Sequence, residues 1–324
     1  MVKKFILNRM FCSFLASLFC VLSFSVYGDD FAVDIEGEFL GSDDAHGELY
    51  DTSLFPERIR VAVVLGGCSS RAVGYAGVIE EFVKAGIPMD LIVGASAGSV
   101  VGALYADIPD VEHLKDVLFN LKPTDLYRLD SYIWNQRFGV SDGEKMRETL
   151  RKLITVDNLE DLQIPFISTA TDLTTGEMVC FNKGDVACAV HASSAYPPHF
   201  VPVKYNGRTL VDAGVSVPLP THIARNTGAE LVISVDFSLP LTTSQPNHFG
   251  GVMLRASDIM YLRLIRASAQ EADVYVKLTL PLEMREKISF SKNPYLNETY
   301  LAGREAAVRA IPKILKALKE KGIM

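Results

Sequence analysis

The sequence is short of the residues that mark several large classes of protein. Of its 324 residues, five are cysteine, six histidine and one tryptophan. Cys12 and Cys20 fall within the first 28 residues, which leaves Cys68, Cys180 and Cys188. Three thiols permit one disulfide, with Cys180 and Cys188 close in sequence, but no disulfide framework. As small buried side chains they need no bond at all. His113, His191, His199 and His222 share no metal-ligand spacing and read as ordinary surface or core histidines. Lysine and arginine number 32 against 39 acids, a net charge of −7. That balance excludes a nucleic-acid partner, which needs clustered cations. No internal repeat and no low-complexity linker divides the chain. With 48% hydrophobic residues it can bury a sizeable core.

The one long apolar run lies at the start. Lys3, Lys4 and Arg9 precede an apolar stretch from Phe11 to Val26, and Val26-Tyr27-Gly28 offers a cleavage site. This is the pattern of a secretory signal peptide over residues 1–28; the competing reading is an uncleaved anchor helix, for which the run is short. Cys20 follows Phe19 rather than a small residue, which argues against a lipid anchor. Cleavage removes three cations and takes the net charge from −7 to −10. An exported protein is expected, in a periplasm, at an outer membrane or secreted. Residues 29–58 are acidic, without apolar pattern, and read as an exposed extension. Residues 59–324 read as one domain.

Within that domain the periodicity alternates. VAVVL (61–65) is a continuous β-branched run, a buried strand. A helical pattern follows, stopped by Gly86 with Pro88 beyond. DLIVG is a second strand and SAGSVVGALYA a small-residue helix. Strand, helix, strand, helix implies a parallel sheet with crossovers. Residues 107–163 are mostly helical in pattern. PFISTATDL and MVCFN read as strands and DVACAVHASSA as a helix ended by Pro197-Pro198. VPVKYNGRTLVDAG reads as a hairpin about Asn206-Gly207, THIARNTG as a helix and ELVISVDFS as a buried strand. A long helix over 252–272, a strand VYVKLTL and a closing helix near 297–320 complete the pattern. The cations of the closing helix, Arg304, Arg309, Lys313, Lys316 and Lys319, fit either an anionic membrane surface or a solvated helix face.

Gly94-Ala95-Ser96-Ala97-Gly98 has the form G-x-S-x-G at a strand-to-helix turn. Such a turn strains the backbone and presents the serine oxygen at the edge of the sheet; a helix N-terminus with a capping serine has the same composition. A serine hydroxyl needs a base. Asp212 with His222 or His248 would give a Ser-His-Asp arrangement, although only one strand precedes DLIVG, fewer than that fold builds before its nucleophile. The alternative base is Asp212 itself. It ends the apolar strand in VDAG, where Ala213 and Gly214 leave room for another backbone, and shielding from water could raise its pKa into a useful range. The same aspartate could equally be a turn residue after a hairpin strand. Gly66-Gly67-Cys68-Ser69-Ser70-Arg71 sits between a strand and a helix, where free N–H groups can bind an anion. It fits neither G-x-G-x-x-G nor the Walker pattern, which argues against a nucleotide.

Glycine loop, serine elbow and DAG in this order resemble the bacterial patatin-like phospholipases. The stretch from VVLGGCSSR through VGASAGSVVGALYA carries the likeness, together with TATDLTTGE, AVHASSAYPPHFVPV, GRTLVDAGV and GAELVISVD, roughly residues 60–240. The resemblance implies an α/β fold: a three-layer α/β/α patatin-like architecture with a mostly parallel central sheet. It implies a Ser–Asp dyad cleaving acyl esters of lipids, with Ser96 as nucleophile, Asp212 as base and no cofactor. Backbone N–H groups of Gly66, Gly67, Cys68 and Ser69 would form the oxyanion hole, Gly94 and Gly98 the elbow, and Arg71 and Gly214 would support the site. The implied partner is a lipid or membrane-surface substrate; a protein partner or activator is not identified.

The chain departs from the family in the loop, where Cys68, Ser69 and Ala72 stand in place of glycines. Cys or Ser at positive φ is strained, and loss of one oxyanion donor costs about 3 kcal/mol, or 100–1,000-fold in rate. A catalytically silent domain that binds lipid or a partner is therefore the non-enzymatic alternative. DAG in place of the commoner DGG or DGA is a smaller change. Asp172 in TATDL reads as structural, and Tyr196 to Phe200 as a wall near Asp212. The aromatic-rich segment from Tyr127 to Phe138 could line an acyl pocket or belong to the core. The chain ends too soon after this region for an appended β-barrel.

Overall fold

The computed structural model describes residues 33–34, 50–128, 139–242, 245–285, 287–289 and 292–324. Residues 1–28, read above as a signal peptide, and most of the aromatic-rich segment lie outside these residues. Contacts group Val33–Met324 into one compact unit.

Among the described residues the strands are β1 (Val33–Asp34), β2 (Val61–Leu65), β3 (Leu91–Ala95), β4 (Phe166–Asp172), β5 (Met178–Phe181), β6 (Val203–Tyr205), β7 (Arg208–Asp212), β8 (Leu231–Asp236) and β9 (Val274–Lys277). The helices are α1 (Val73–Lys84), α2 (Ala97–Asp107), α3 (Val111–Asn120), α4 (Pro123–Leu126), α5 (Glu144–Leu153), α6 (Val186–Ser194), α7 (Thr221–Asn226), α8 (Phe249–Ala269), α9 (Leu282–Arg285) and α10 (Leu296–Glu320). The strands form one sheet whose bonded path is β1-β6-β7-β4-β3-β2-β8-β9, with β5 paired to β4. Its middle, β4-β3-β2-β8-β9, is parallel.

Burial on both faces explains why the central strands read as continuous apolar runs. Val61, Val63 and Leu65 of β2 enter one core with Ile92, Ile233 and Val235. Ala62 and Val64 enter the other, with Leu91, Val93 and Val232. Helices α1, α2, α6 and α10 supply the first core, and α7 with the end of α8 supplies the second. Three layers result, as the resemblance implied.

Contacts along β4 position the site. Strand β5 occupies one edge of β4 from Ser168 to Thr171. Strands β3 and β7 must therefore share the other edge, β3 against Phe166–Thr169 and β7 against Ala170–Asp172. Because β3 is parallel to β4 and β7 antiparallel, their carboxyl ends meet: Ala95 pairs with Thr169, and Asp212 with the next residue, Ala170. Ser96 follows Ala95, so topology alone brings it to Asp212.

One expectation needs correction. The stretch 29–58 is not simply an exposed extension where it is described. Val33–Asp34 pairs with Val203–Lys204, Tyr50 and Phe55 pack on the second core, and Asp51 exchanges hydrogen bonds with the Asn182 amide. Its few apolar residues are enough to dock it. Cys68, Cys180 and Cys188 are all buried free thiols, the second of the two readings left open above. In α10, Arg304 bonds Glu81 of α1 at 2.7 Å where the two helices meet, whereas Arg309 and Lys316 lie on the exposed side near Glu305 and Glu320 of the same helix, an ordinary solvated face.

Candidate active site

Ser96 occupies the turn between β3 and α2 with φ +55° and ψ −124°. This is a strained conformation for a residue with a Cβ, and such strain persists only where surroundings enforce it. The enforcement is visible at its neighbours. A Cβ on Gly94 would lie 2.6 Å from the Ser99 Cα, and one on Gly98 only 2.1 Å from the Leu65 carbonyl oxygen. The elbow glycines are thus required by the closeness of β2, β3 and α2.

The Ser96 Oγ donates to Asp212 Oδ2 at 2.6 Å. The other carboxylate oxygen, Oδ1, accepts from the Gly214 N–H at 2.6 Å. A Cβ on Gly214 would sit 2.9 Å from that oxygen, so Gly214 is needed for the approach. Asp212 is 2% exposed. Burial pushes its pKa up to about 7, against the lowering effect of the Ser96 and Gly214 hydrogen bonds. A carboxylate in that range can take a proton from serine near neutral pH. Neither candidate histidine joins the pair: His248 accepts from the Gly251 N–H at the start of α8, and half-buried His222 lies on α7 near Glu271.

The loop after β2 lies against this pair, since a Cβ on Gly67 would be 3.4 Å from the Ser96 Cβ. Its four amides are not equivalent. Gly66 N–H donates to the Val235 carbonyl and Gly67 N–H to that of Pro218. Those two donors are spent, which corrects the expectation that Gly66 and Gly67 contribute to an oxyanion hole. Among the described residues no acceptor bonds the N–H of Cys68 or Ser69. Their peptide planes are pinned from the opposite side. The Tyr261 hydroxyl of α8 donates to the Gly67 carbonyl at 2.5 Å, and the Arg71 N–H donates to the Cys68 carbonyl. In a planar trans peptide the N–H points away from the C=O, so these two bonds orient the Cys68 and Ser69 N–H groups. Ser69 takes φ +48°, the strained value expected, whereas Cys68 is at φ −146° and unstrained. Arg71 bonds the Phe237 carbonyl at 3.1 Å and ties the loop to the end of β8.

Several participants have no signal in the sequence. The Ser96 N–H donates to Ser193 Oγ at 2.8 Å, and Ser193 Oγ donates to Ser99 Oγ at 2.9 Å. Ser99 then meets Ser168, which donates to the Ala189 carbonyl at 3.2 Å. One directed chain of buried hydroxyls thus fixes the elbow. Tyr261 and Tyr75, the latter bonding the Gly66 carbonyl at 2.7 Å, hold the loop. A cavity of about 240 Å³ opens at Ser96, lined mainly by apolar side chains including Val100, Leu118, Leu126, Met146 and Phe200. Ser69 and Ser194 are among its polar lining. Tyr127 also borders it; residues 129–138 lie outside the described part. A larger depression of about 650 Å³ borders Phe55, Arg60 and Asp90 and contains no site residue.

The remaining candidates are structural. Asp172 accepts from the Thr174 N–H in a turn. Tyr196, near Asp212, and Phe200 flank the site, with a cis bond between Pro197 and Pro198. His191 is fully buried beside Arg147 and its pKa falls to about 3, chiefly through burial. Among the described residues no three His, Cys, Asp or Glu side chains converge as a metal site.

The family model for patatin-like phospholipases matches residues 63–225. An uncharacterized NTE family protein of Mycobacterium tuberculosis is 32% identical over 194 residues, 58% of this chain and 53% of that one. Patatin-like phospholipase domain-containing protein 6 of Homo sapiens is 32% identical over 188 residues, 54% of this chain and 13% of the relative. The chain thus matches about half the length of the first and a small part of the second. Among solved structures, VipD of Legionella pneumophila aligns with a TM-score of 0.48 at 12% identity, over 81% of this chain and 67% of that one. ExoU, a type III effector protein, aligns with a TM-score of 0.42 at 13% identity, over 81% and 54%.

Proposed function

Since the chain belongs to the patatin-like phospholipase family, we propose that it hydrolyses acyl esters of phospholipids or lysophospholipids with Ser96 and Asp212 as its catalytic pair. The observation that carries the reading is the 2.6 Å bond from Ser96 Oγ to a buried carboxylate whose pKa is raised to about 7. In the reaction Ser96 Oγ attacks the ester carbonyl and its proton passes to Asp212 Oδ2. The negative oxygen is stabilised by the Cys68 and Ser69 N–H groups, and the acyl chain lies in the apolar cavity. Asp212 returns the proton to the departing alkoxide. A water deprotonated by Asp212 then attacks the acyl-enzyme, releases the fatty acid and restores Ser96.

Export is part of the same proposal. Residues 1–28 act as a signal peptide and 59–324 as the hydrolase domain, a reading supported by the cations before Phe11 and the apolar run to Val26. Catalytic silence is the second reading, favoured only by Cys68 and Ser69 in the loop. Two unengaged N–H groups at these positions favour turnover.

The test is hydrolysis of a fluorogenic acyl ester and a labelled phospholipid by the chain without residues 1–28. Ser96→Ala and Asp212→Asn should each abolish turnover, while His222→Ala and His248→Ala leave it nearly intact. Activity surviving Ser96→Ala, or lost with either histidine, overturns the dyad. A folded protein that turns over neither substrate supports the silent domain.

A further inference from the structure

Helix α8 is built opposite to a helix that merely packs. Tyr261 and Ile265 face inward to the second core. Its other side, from Phe249 to Met260, is apolar and exposed: Phe249 is 82% exposed, Val252 52%, Met253 54% and Met260 60%. These residues lie three, four and eleven positions after the first, which puts them on one stripe. A row of large apolar side chains in water is a docking surface or a liability.

The charge of the helix selects the occupant. It carries Arg255, Arg263 and Arg266 against one acid, Asp258, although the whole chain is −7. An exposed apolar stripe with arginines on the same helix is the make-up of a helix lying in a lipid interface, its cations meeting anionic headgroups. A second copy packed across a two-fold axis would bring the same arginines together, which disfavours it. Tyr261, on the inward side of this helix, bonds the Gly67 carbonyl beside Ser96, so a surface meeting the stripe lies one helix diameter, ~10 Å, from the loop of the candidate site.

We propose that the exposed apolar stripe of α8, with Arg263 and Arg266 beside it, docks on an anionic lipid surface and holds the candidate site near it. The purpose of this docking rests on the lipid-hydrolase reading; its test does not. Binding is measured by co-sedimentation with vesicles of phosphatidylglycerol and phosphatidylcholine, and with phosphatidylcholine alone. The protein is the Ser96→Ala chain without residues 1–28, which retains the whole compact unit Val33–Met324 and removes the apolar leader. Without turnover, the result is independent of whether the chain hydrolyses esters. The combined variant Phe249→Ser, Met253→Ser, Met260→Ser should bind mixed vesicles at least ~10-fold more weakly with an unchanged circular dichroism spectrum. Arg263→Gln and Arg266→Gln remove little packing and keep the test open should the triple variant misfold. Each should weaken binding about 5-fold on anionic vesicles and leave neutral ones unchanged. Absence of vesicle binding by the parent overturns the proposal, as does unchanged binding by folded variants. So does a concentration-dependent dimer that the triple variant abolishes, which would assign the stripe to a second copy.

Discussion

Substituting asparagine for Asp212 separates the chemical use of this carboxylate from its cost to the fold. Burial raises its pKa from 3.8 to about 7. The unfolded chain releases the same proton near ~3.9. Between those values the folded protein holds a proton that the unfolded chain has lost. Stability therefore falls as pH rises from about 4 to about 7, then stays level. At about 1.4 kcal/mol per pH unit, the burial of this charge costs about 4 kcal/mol at alkaline pH and about 1.5 kcal/mol near pH 5. The Asp212→Asn variant carries no such charge and keeps a carbonyl oxygen able to accept from Gly214. Its stability relative to the parent should increase by about 3 kcal/mol between about pH 5 and pH 8.5. Urea unfolding of both proteins at both pH values measures the double difference, in which all other titrating groups cancel. In the same window the parent's kcat/KM should rise with pH, reach half its plateau near pH 7 and level off above about 8 as the base ionises, while the variant stays inactive. A stability difference that is the same at both pH values would refute the argument, because it would mean that Asp212 ionises in the folded protein as it does in water.

The loop and the helix crossing give two more tests. Tyr261→Phe removes the hydroxyl that holds the Gly67 carbonyl and so frees the Cys68 N–H to turn; kcat should fall about 10- to 100-fold with KM nearly unchanged, whereas an equal loss in both, or none, would make Tyr261 a packing residue only. Gly303→Ala places a Cβ 1.9 Å from the Gly74 carbonyl where α10 crosses α1. The helices must separate, and the urea midpoint should drop by an amount equivalent to about 3 kcal/mol; an unchanged midpoint would show that the crossing can open freely.

Much of the sheet was legible because its strands are buried on both faces and leave continuous runs such as VAVVL and ELVISVD. The pairing of Ser96 with Asp212 was accessible through motifs, yet its cause is topological. Strands β3 and β7 converge along one edge of β4, and nothing local to GASAG or VDAG encodes that. The tyrosines and serines that fix the site were illegible for the same reason. Ser193 lies in AVHASSA and Tyr261 in a long helix, where each looks like an ordinary small or aromatic helix residue. Their roles come from contacts with residues distant in the chain. The cations of the closing helix are visible in sequence and allowed a membrane-surface reading beside the solvated one, whereas the exposed stripe of α8 becomes visible only once its inward face is known.

The altered loop shows how a motif and its physics part company. A glycine is irreplaceable where a Cβ would collide or where φ is positive, and these are separate demands. Gly67 meets the first: its Cβ would lie 2.7 Å from the Tyr261 hydroxyl. Cys68, at φ −146°, meets neither demand. Its side chain fills the first core and its buried thiol, pushed up to about 12, is held as a neutral apolar group. Only Ser69 carries the conformational penalty, about 1 kcal/mol for a single left-handed non-glycine residue. Under the proposed mechanism an oxyanion donor would supply about 3 kcal/mol to the transition state, whereas the strain at Ser69 is a cost to folding stability and not to the barrier. The loop can therefore diverge from glycine at 68 and 69 and keep both N–H groups, provided that Tyr261 and Arg71 go on anchoring the carbonyls behind them.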